Sequence, residues 1–355
     1  MTETEIKINT NKKATIYDVA NALGVSVRTV HRALYNQPRI APDTKKKVLE
    51  MAERMNFKVN RAAQSLKKKT TYLSFIINCP VEEHWKEIKR GIDVALEELE
   101  TYNLSSQFFF PKADEQNDFE KQVLDQIDAC MEYTSGLVIL IPGKSEKITN
   151  KLKEAQQKGI CVASMISEIW DIDNIISVNA DGRCAGSLAA ELLHMICEKK
   201  NIGILIGSMG TKIHNDNIQG FNTFAQDDSF NCVNIYEHHD DPRLVVREAR
   251  RMMEEMPDID GVYMATSSAP IACGEIEKYG KQINIVTTDL TEEIRLLLKK
   301  RKITATIFQD PYMQGRKIVI ELYKMIYEQK KAERYLVTPQ LIFYSNSNMY
   351  SKDND

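Results

Sequence analysis

The spacing of apolar residues changes at about residue 70, and this change divides the chain into two parts. Before it, apolar residues recur every three or four positions in three short segments, a pattern typical of amphipathic helices. After it, short apolar runs alternate with helix-like segments at 83–102, 119–131, 181–198 and 242–255. The runs are 73–77, 106–110, 136–141, 160–164, 175–178, 202–206, 261–264, 283–286 and 304–308. The alternation predicts parallel sheets of βαβ units, and two such series predict two lobes with a cleft between them.

Residues 14–58 show the pattern of a helix-turn-helix. Thr15 is a candidate N-cap for a first helix whose apolar face holds Ile16, Val19, Ala20 and Leu23, and Ser26 is a candidate cap for a second helix with Val30, Ala33 and Leu34 inward. Gly24 supplies the tight turn between them. The spacing of Ala20, Gly24 and Val30 lets two helices approach closely, and the second helix of such a unit enters the major groove of DNA.

A third helix is predicted after residues 40–43, with Pro42 at its first position. Ala41 precedes it and has no side-chain acceptor for capping. Its predicted apolar stripe consists of Val48, Leu49, Ala52 and Met55, with Phe57 closing the small domain. Residues 60–66 follow as a segment too short to hold a helix alone in water, and three lysines come next. This segment is either a hinge helix that forms on DNA or a flexible basic linker.

The charge is distributed unevenly. Residues 1–70 contain 15 Lys and Arg against 6 Asp and Glu, whereas the remainder contains 32 against 44. A basic head on an acidic body is the electrostatic pattern of a nucleic-acid-binding protein. No apolar run is long enough to cross a bilayer, and the first 13 residues lack the apolar core of a signal peptide, so we expect a cytoplasmic location. Seven widely spaced cysteines without a CxxC motif predict neither a disulfide framework nor a zinc cluster.

Several of these motifs together resemble the headpiece of the LacI/GalR family. They are Thr15-Ile-Tyr-Asp-Val-Ala, Gly24-Val-Ser, Thr29-Val-x-Arg32, Thr44 and the hinge sequence 60–66. The chain departs from the family pattern at Ala41, where members usually carry a capping Ser, and at His31, which replaces the usual Ser in the recognition helix.

The resemblance implies roles for these residues on DNA. Val27, Arg28 and Arg32 would meet base edges, where Arg can bind guanine and Val can contact a thymine methyl. Phosphates would be contacted by Tyr17, Ser26, Thr29, His31 and Asn36. The helix cap Thr15 is a further candidate DNA-binding residue. The hinge residues Asn60, Arg61, Ala63, Gln64 and Leu66 would fold in the minor groove when two copies meet, with Leu66 as the apolar wedge.

The second part of the chain resembles periplasmic sugar-binding proteins, which are also the core of LacI-family regulators. The matching motifs are Gly91, Asp181-Gly-Arg183-x-Ala-Gly186, Gly207-Ser, Gly220-Phe221, Thr287-Thr-Asp289 and Gln309-Asp-Pro-Tyr-x-Gln-Gly315. The predicted fold is therefore α/β: an all-α headpiece and hinge helix, followed by a two-lobed periplasmic-binding-protein-like domain with parallel sheets. The predicted segments are 1–13 as a flexible N-terminus, 14–58 as headpiece, 59–70 as hinge, 71–345 as effector and dimerisation domain, and 346–355 as a tail.

Ligands of open α/β sheets bind beyond the carboxyl ends of the strands, where several polar and aromatic residues fall. The candidate ligand-binding residues are Glu82, His84, Trp85, Lys144, Trp170, Arg183, Asn217, Asp289 and Gln309. Asp289 would accept two sugar hydroxyls, and Asn217 stands where relatives usually carry Arg. Lys144 and Arg183 together favour an acidic or phosphorylated sugar. The sequence His238-His239-Asp240 is interpreted as a solvated loop rather than a metal site.

These observations predict a sequence-specific transcription regulator, a repressor of carbohydrate-utilisation genes that acts as a homodimer on a pseudo-palindromic operator. Its effector would be a sugar, sugar acid, sugar phosphate or cyclitol; a protein corepressor is the alternative. No cofactor, metal or membrane is expected. Catalysis is not expected either, because residues 207–212 lack the spacing of a phosphate-binding loop and no GxSxG or HExxH motif occurs.

Overall fold

A computed structural model describes residues 15–34, 40–55, 70–79, 81–112, 118–141, 143, 145–166, 171–225 and 230–350. The chain divides into two compact units, one ending at Lys69 and the other beginning at Thr70. None of the helices in these ranges combines the length and apolar character that crossing a bilayer requires.

The N-terminal unit contains three helices, α1 (Ile16–Leu23), α2 (Val27–Leu34) and α3 (Pro42–Arg54). The side chain and backbone of Thr15 form a reciprocal capping box with Asp18, and Gly24 ends α1 in the left-handed conformation at φ 62°. The buried core is made of Val19, Ala20, Val30, Ala33 and Val48. The predicted cap and turn of α1 and the predicted inward residues Val19, Ala20, Val30 and Ala33 are therefore where the structure has them.

One residue of the predicted third stripe was placed wrongly. Leu49 is 44% exposed, whereas Val48 and Ala52 are buried and Met51 and Met55 pack against the same core. The reason is geometric, because successive residues of a helix point about 100° apart and the stripe follows i, i+3, i+4 and i+7. Phe57 lies outside the described residues.

The larger unit contains two six-stranded sheets, each forming one lobe. In chain order the first elements are β1 (Thr71–Ile77), α4 (Glu82–Glu98), β2 (Leu104–Phe109), α5 (Phe119–Met131), β3 (Thr134–Leu140), α6 (Glu146–Gln157), β4 (Cys161–Met165) and β5 (Ile176–Ala180). There follow α7 (Gly182–Ile196), β6 (Asn201–Ile206), α8 (Lys212–Ala225), β7 (Cys232–Glu237), α9 (Pro242–Glu255), β8 (Gly261–Ala265), α10 (Ala269–Ile276), β9 (Asn284–Thr288), α11 (Glu292–Lys299) and β10 (Ala305–Phe308). The last are α12 (Pro311–Glu328), β11 (Arg334–Val337), β12 (Gln340–Ile342) and α13 (Tyr344–Ser347), followed by a 3-10 turn, Asn348–Tyr350.

The strand order is β11-β5-β4-β3-β1-β2 in the first lobe and β12-β10-β9-β8-β6-β7 in the second. All neighbouring strands are parallel except β12, which pairs antiparallel to β10. In register, Phe75 lies opposite Val138, and Ala305 lies opposite Val286. The chain passes between the lobes after β5, after β10 and after β11. Any rotation of one lobe against the other would be absorbed in these three connections, because a few residues at element ends can take up such a change.

Each predicted apolar run overlaps a strand, but three strands were missed. In β7 two consecutive residues, Asn234 and Ile235, are exposed, and in β11 the first three residues are exposed. The third, β12, has only three residues. A strand at or near a sheet edge buries few side chains, so it lacks the continuous apolar run that marks a parallel strand buried on both faces.

Two helix pairs, one in each lobe, touch backbone to backbone at glycines. A Cβ atom on Gly220 of α8 would lie 1.9 Å from the carbonyl oxygen of Arg183, and one on Gly186 of α7 would lie 1.9 Å from the carbonyl oxygen of Asn217. In the other lobe, a Cβ on Gly91 of α4 or Gly315 of α12 would come within 2.0 Å of a backbone carbonyl of the partner helix. Only glycine permits this approach.

We expect Gly220→Ala to lower the free energy of unfolding by about 3 kcal/mol or more, because α7 and α8 would have to separate. The matched control is Gly274→Ala in α10, where no atom lies within 4 Å of the new methyl group. There alanine should raise stability by up to about 1 kcal/mol through its higher helix propensity. Urea unfolding followed by circular dichroism measures both, and equal effects would contradict the argument.

Candidate functional site

The recognition helix α2 presents cationic side chains opposite its buried face. Val30 and Ala33 are buried, while Arg28 is exposed and Arg32 is half-buried one turn further along. The helix sequence Val-Arg-Thr-Val-His-Arg-Ala-Leu contains no acidic residue. Arg28 and Arg32 are four residues apart and therefore lie on the same side of the helix, which suits two contacts within one groove.

Several predicted DNA contacts also have a structural role in the headpiece. The Thr15 hydroxyl donates to Asp18 Oδ2 at 2.7 Å, and Ser26 Oγ accepts the Thr29 N–H at 3.1 Å. Tyr17, by contrast, is 65% exposed at the start of α1. The predicted residues Asn36, Asn60, Arg61, Ala63, Gln64 and Leu66, and the side chain of His31, lie outside the described residues.

A cavity of about 650 Å³ lies between the two lobes, beside the connection that follows β10. The first lobe contributes one face of α4 and the start of α12. The second lobe contributes the segment from β9 into α11, the end of β10 and the C-terminal 3-10 turn. The lining residues are Glu83, His84, Lys86, Glu87, Arg90, Asp289, Leu290, Thr291, Glu292, Arg295, Phe308, Asp310, Pro311, Tyr312, Met349 and Tyr350.

Two aspartates stand at the ends of neighbouring strands on this cavity. Asp289 follows β9 at φ 69°, and Asp310 follows β10 at φ 48°, so both have left-handed backbone conformations. Such conformations carry a modest energetic cost and concentrate at functional sites. Asp310 Oδ1 accepts the Met313 N–H at 2.9 Å and so caps α12. Burial raises the pKa of both carboxyl groups.

The pair His84 and Asp289 spans the cleft. His84 belongs to α4 of the first lobe, and its Nδ1 lies 3.8 Å from Asp289 Oδ1 of the second lobe. A second contact between the lobes is close by, because the Glu292 N–H donates to Glu83 Oε2 at 3.0 Å. A ligand bound here would therefore contact both lobes at once.

Of the seven predicted ligand residues that the structure describes, only His84 and Asp289 line this cavity. On α4, Glu82 forms a surface ion pair with Lys86 at 2.6 Å, and the Trp85 ring packs edge-on against Phe108 and Phe110 at 5.5 and 5.6 Å. The helical rotation of 100° per residue turns these two side chains away from His84. Gln309 is half-buried and adjoins Asp310 without lining the cavity.

Arg183 and Asn217 are likewise engaged elsewhere in the second lobe. The Arg183 side chain is 69% exposed, donates to Gln219 Oε1 at 2.6 Å and lies 3.7 Å from Asp216. Asn217 is 2% exposed, and its Oδ1 accepts the hydroxyl of Tyr263 at 2.5 Å. Lys144 and Trp170 lie outside the described residues.

Sequence reasoning missed most of the cavity lining. Glu83, Glu87 and Arg90 recur at helical spacing on α4, and that periodicity of charged residues is a signal that could have found them. No such signal marked Glu292, Arg295 or the C-terminal turn, because these residues are far from α4 in the sequence and only the tertiary structure brings them beside it. Tyr263, a buried partner of Asn217, was hidden within an ordinary strand pattern.

The prediction of a solvated loop at residues 238–240 was wrong for His238. This side chain is 0% exposed, and its Nδ1 accepts the Asp240 N–H at 3.1 Å. Burial lowers its pKa. Within the part of the chain that the structure describes, no three His, Cys, Asp or Glu side chains form a group that could hold a metal ion.

Two family models match this chain. The model for the periplasmic binding protein domain matches residues 73–330, and the model for bacterial regulatory proteins of the lacI family matches residues 15–60. Together they define a helix-turn-helix headpiece joined to a two-lobed binding domain, as the sequence predicted. Over most of its length the chain belongs to the periplasmic binding protein domain family, and its N-terminal segment matches the lacI family of bacterial regulatory proteins.

The individual relatives share 30% or less of their aligned residues with this chain. Catabolite control protein A of Priestia megaterium is 30% identical over 210 residues, which is 58% of this chain and 59% of the relative. The chain spans only 59% and 53% of the length of the first two curated relatives it matches. The regulator pepR1 of Lactobacillus delbrueckii subsp. lactis is 23% identical over 94% of this chain and 98% of its own.

Solved structures support the fold. The Lac repressor bound to ONPG matches with a TM-score of 0.63 at 18% identity, covering 93% of this chain and 98% of the repressor. The glucose-galactose binding protein GanP of Geobacillus stearothermophilus matches with a TM-score of 0.67 at 17% identity, covering 79% and 99%. At these identities the similarity shows the two-lobed fold alone.

We expect Asp289→Asn to raise the unfolding temperature at about pH 7. The pKa of Asp289 is raised above its ordinary value of 3.8, so the folded state binds the proton more tightly and loses stability as pH rises above that value. Asparagine removes this cost, and the difference should vanish below the ordinary pKa, where Asp289 is protonated in both states.

The control is Asp258→Asn, because the Lys199 ammonium lowers the pKa of Asp258 and the sign is reversed. Calorimetric melts across pH measure both variants. A destabilised Asp289→Asn protein at neutral pH would contradict the argument.

Proposed function

We propose that this protein is a sequence-specific DNA-binding transcription regulator whose operator affinity is set by a small polyhydroxylated ligand bound between the lobes. The observation that carries the proposal is the interlobe cavity, to which both lobes contribute charged and aromatic side chains. Its volume lies within the usual range of about 300–1,000 Å³ for small-molecule sites. Because the same chain carries a DNA-binding headpiece, a ligand in this cavity could control DNA binding.

On DNA, α2 would lie in the major groove. Arg28 and Arg32 would bind guanine O6 and N7, and Val27 would meet a thymine methyl group. The exposed Tyr17 and the hydroxyls of Ser26 and Thr29 would contact phosphates, which fix register rather than sequence. A homodimer would place two headpieces on a pseudo-palindromic operator, with the segment 59–70 as the hinge in the minor groove.

The ligand would act through the three connections between the lobes. A molecule that contacts α4 on one side and Asp289 on the other favours one angle between the lobes over another. Because ligand binding and lobe angle are linked, the ligand shifts the population of DNA-competent dimers. Whether it induces or corepresses depends on which lobe angle it prefers.

The relatives suggest the pathway class. One is named for catabolite control, and solved structures of similar fold include a CelR–cellobiose complex and the Lac repressor bound to ONPG. We therefore propose that the protein is a repressor of carbohydrate-utilisation genes. It would act in the bacterial cytoplasm, and its activity would be DNA binding rather than catalysis. A regulator controlled by a protein corepressor is the alternative that the ligand experiment decides.

Replacing Arg28 or Arg32 by Ala should weaken binding to an operator selected from random DNA by about 10- to 100-fold, since each bidentate base contact contributes about 1–3 kcal/mol of discrimination. The matched control is Arg54→Ala, an exposed arginine at the end of α3 outside the proposed interface. Fluorescence anisotropy at fixed salt measures all three. Equal losses at Arg54 would point to a purely electrostatic effect.

The ligand is found by a thermal-shift screen against neutral sugars, sugar acids, sugar phosphates, amino sugars and cyclitols, because a ligand specific for the folded state raises the melting midpoint. A hit should change operator affinity in wild type and have little effect on Asp289→Asn, which keeps its headpiece. Absence of any hit would favour the protein-corepressor alternative.

A further inference from the structure

We propose that the effector is a polyhydroxylated amine of the amino-sugar class, which binds as a cation. This inference rests on the proposed function of the interlobe cavity and specifies the charge of its ligand. It replaces the expectation of an acidic or phosphorylated sugar, which depended on Lys144 and Arg183. The Arg183 side chain is 69% exposed on the second lobe and takes no part in lining the cavity.

The carboxylates of the cavity outnumber its cations. Among the described residues that line it, five are acidic, namely Glu83, Glu87, Asp289, Glu292 and Asp310, and three are basic, namely Lys86, Arg90 and Arg295. His84, the histidine among them, faces Asp289. A cleft with an excess of one charge concentrates ligands of the opposite charge.

Each of the three cations already has a partner within the protein. Lys86 Nζ lies 2.6 Å from Glu82, and the Arg90 guanidinium lies 2.9 Å from Glu87 while stacking on the Tyr312 ring at 4.2 Å. Arg295 donates to the carbonyl oxygens of Ser347 and Tyr350. An anionic ligand would therefore share each cation with a group that the protein already supplies.

The buried carboxylate of Asp289 is less satisfied, whereas those of Glu83 and Glu292 are exposed to solvent. Among the described residues none donates a hydrogen bond to the carboxylate of Asp289 or to that of Glu292; Glu83 receives one, from the Glu292 N–H. Asp289 is largely buried, with 17% of its side chain exposed. A buried carboxylate without donors is costly, and a ligand ammonium would supply a charge-assisted hydrogen bond at this point.

Aromatic rings complete the site. Phe308 and Tyr350 pack with ring centroids 5.1 Å apart on the second lobe, and Tyr312 stands on the first. Aromatic faces stack on the apolar face of a sugar ring and attract a nearby ammonium through the ring quadrupole. Hydroxyl groups can donate to the remaining carboxylate oxygens, so a sugar bearing an amine matches every kind of group that lines the cavity.

The test is calorimetric binding of matched sugar series to the full-length protein. For the gluco, galacto and manno configurations, the free amino sugar, its N-acetylated form, the neutral hexose and the hexose 6-phosphate are compared at a pH between the pKa values of the carboxylates and of the sugar amine. At least one amino sugar should bind about tenfold more tightly than its N-acetylated and phosphorylated counterparts, since a charged hydrogen-bond partner contributes about this factor.

The variant Glu292→Gln should reduce this preference for the amine about tenfold, because the affinity for the charged amine falls by more than the affinity for the neutral hexose. Its control is Glu293→Gln, the adjacent exposed residue of α11, which does not line the cavity and should change nothing. Because both variants conserve shape and exposure, a difference between them reports the charge rather than the fold.

The outcomes separate the two proposals. Tighter binding of a phosphorylated or neutral sugar than of every amino sugar would overturn the inference and leave the ligand-controlled regulator intact. An amine preference that survives both Glu292→Gln and Asp289→Asn would also overturn it, because the charge that selects the amine would then not come from these cavity carboxylates. No binding by any member of the series would overturn the inference alone, because the wider thermal-shift panel decides whether a small ligand controls the protein.

Discussion

Close backbone contact between helix pairs is the constraint on which both lobes depend. Gly186 and Gly220 bring α7 against α8, and Gly91 and Gly315 bring α4 against α12. Both α7 and α12 begin immediately after the chain has crossed from the opposite lobe. The glycines therefore hold each incoming connection firmly to its new lobe, so that motion is confined to the few residues between the lobes.

The rigid lobes fix the positions of two buried carboxyl groups at the cleft. Asp289 and Asp310 stand at the ends of the paired strands β9 and β10, in left-handed conformations that the surrounding fold maintains. Their burial raises the pKa of both carboxyl groups, because the ionised carboxylates make the folded state less stable. A ligand that donated hydrogen bonds to these carboxylates would offset that cost. Across the cleft the His84 imidazole faces Asp289 and the Glu83 carboxylate accepts the Glu292 N–H, so a ligand bound here would contact both lobes.

The two units have opposite electrostatic character. The first 70 residues carry an excess of basic residues and the rest an excess of acidic ones. In the headpiece, α2 has Arg28 and Arg32 and no acid, which suits a phosphate backbone. In the cleft, carboxylates exceed cations, which suits hydroxyl donors and amines. The headpiece and the cleft of this chain thus present opposite charges.

Local patterns in the sequence were enough to determine the headpiece, the buried strands and the family. Thr15 and Gly24 mark the bounds of α1 because capping and left-handed turns depend on neighbouring residues, and buried parallel strands are continuous apolar runs. Asp289 was identified because it follows such a strand. Only the tertiary structure decided which faces of α4 and α11 line the cleft. It also decided that Asn217 bonds to Tyr263 and that His238 is buried. Those contacts join residues far apart in the chain, and a helix rotated by one residue would have presented Trp85 rather than His84 to the cleft.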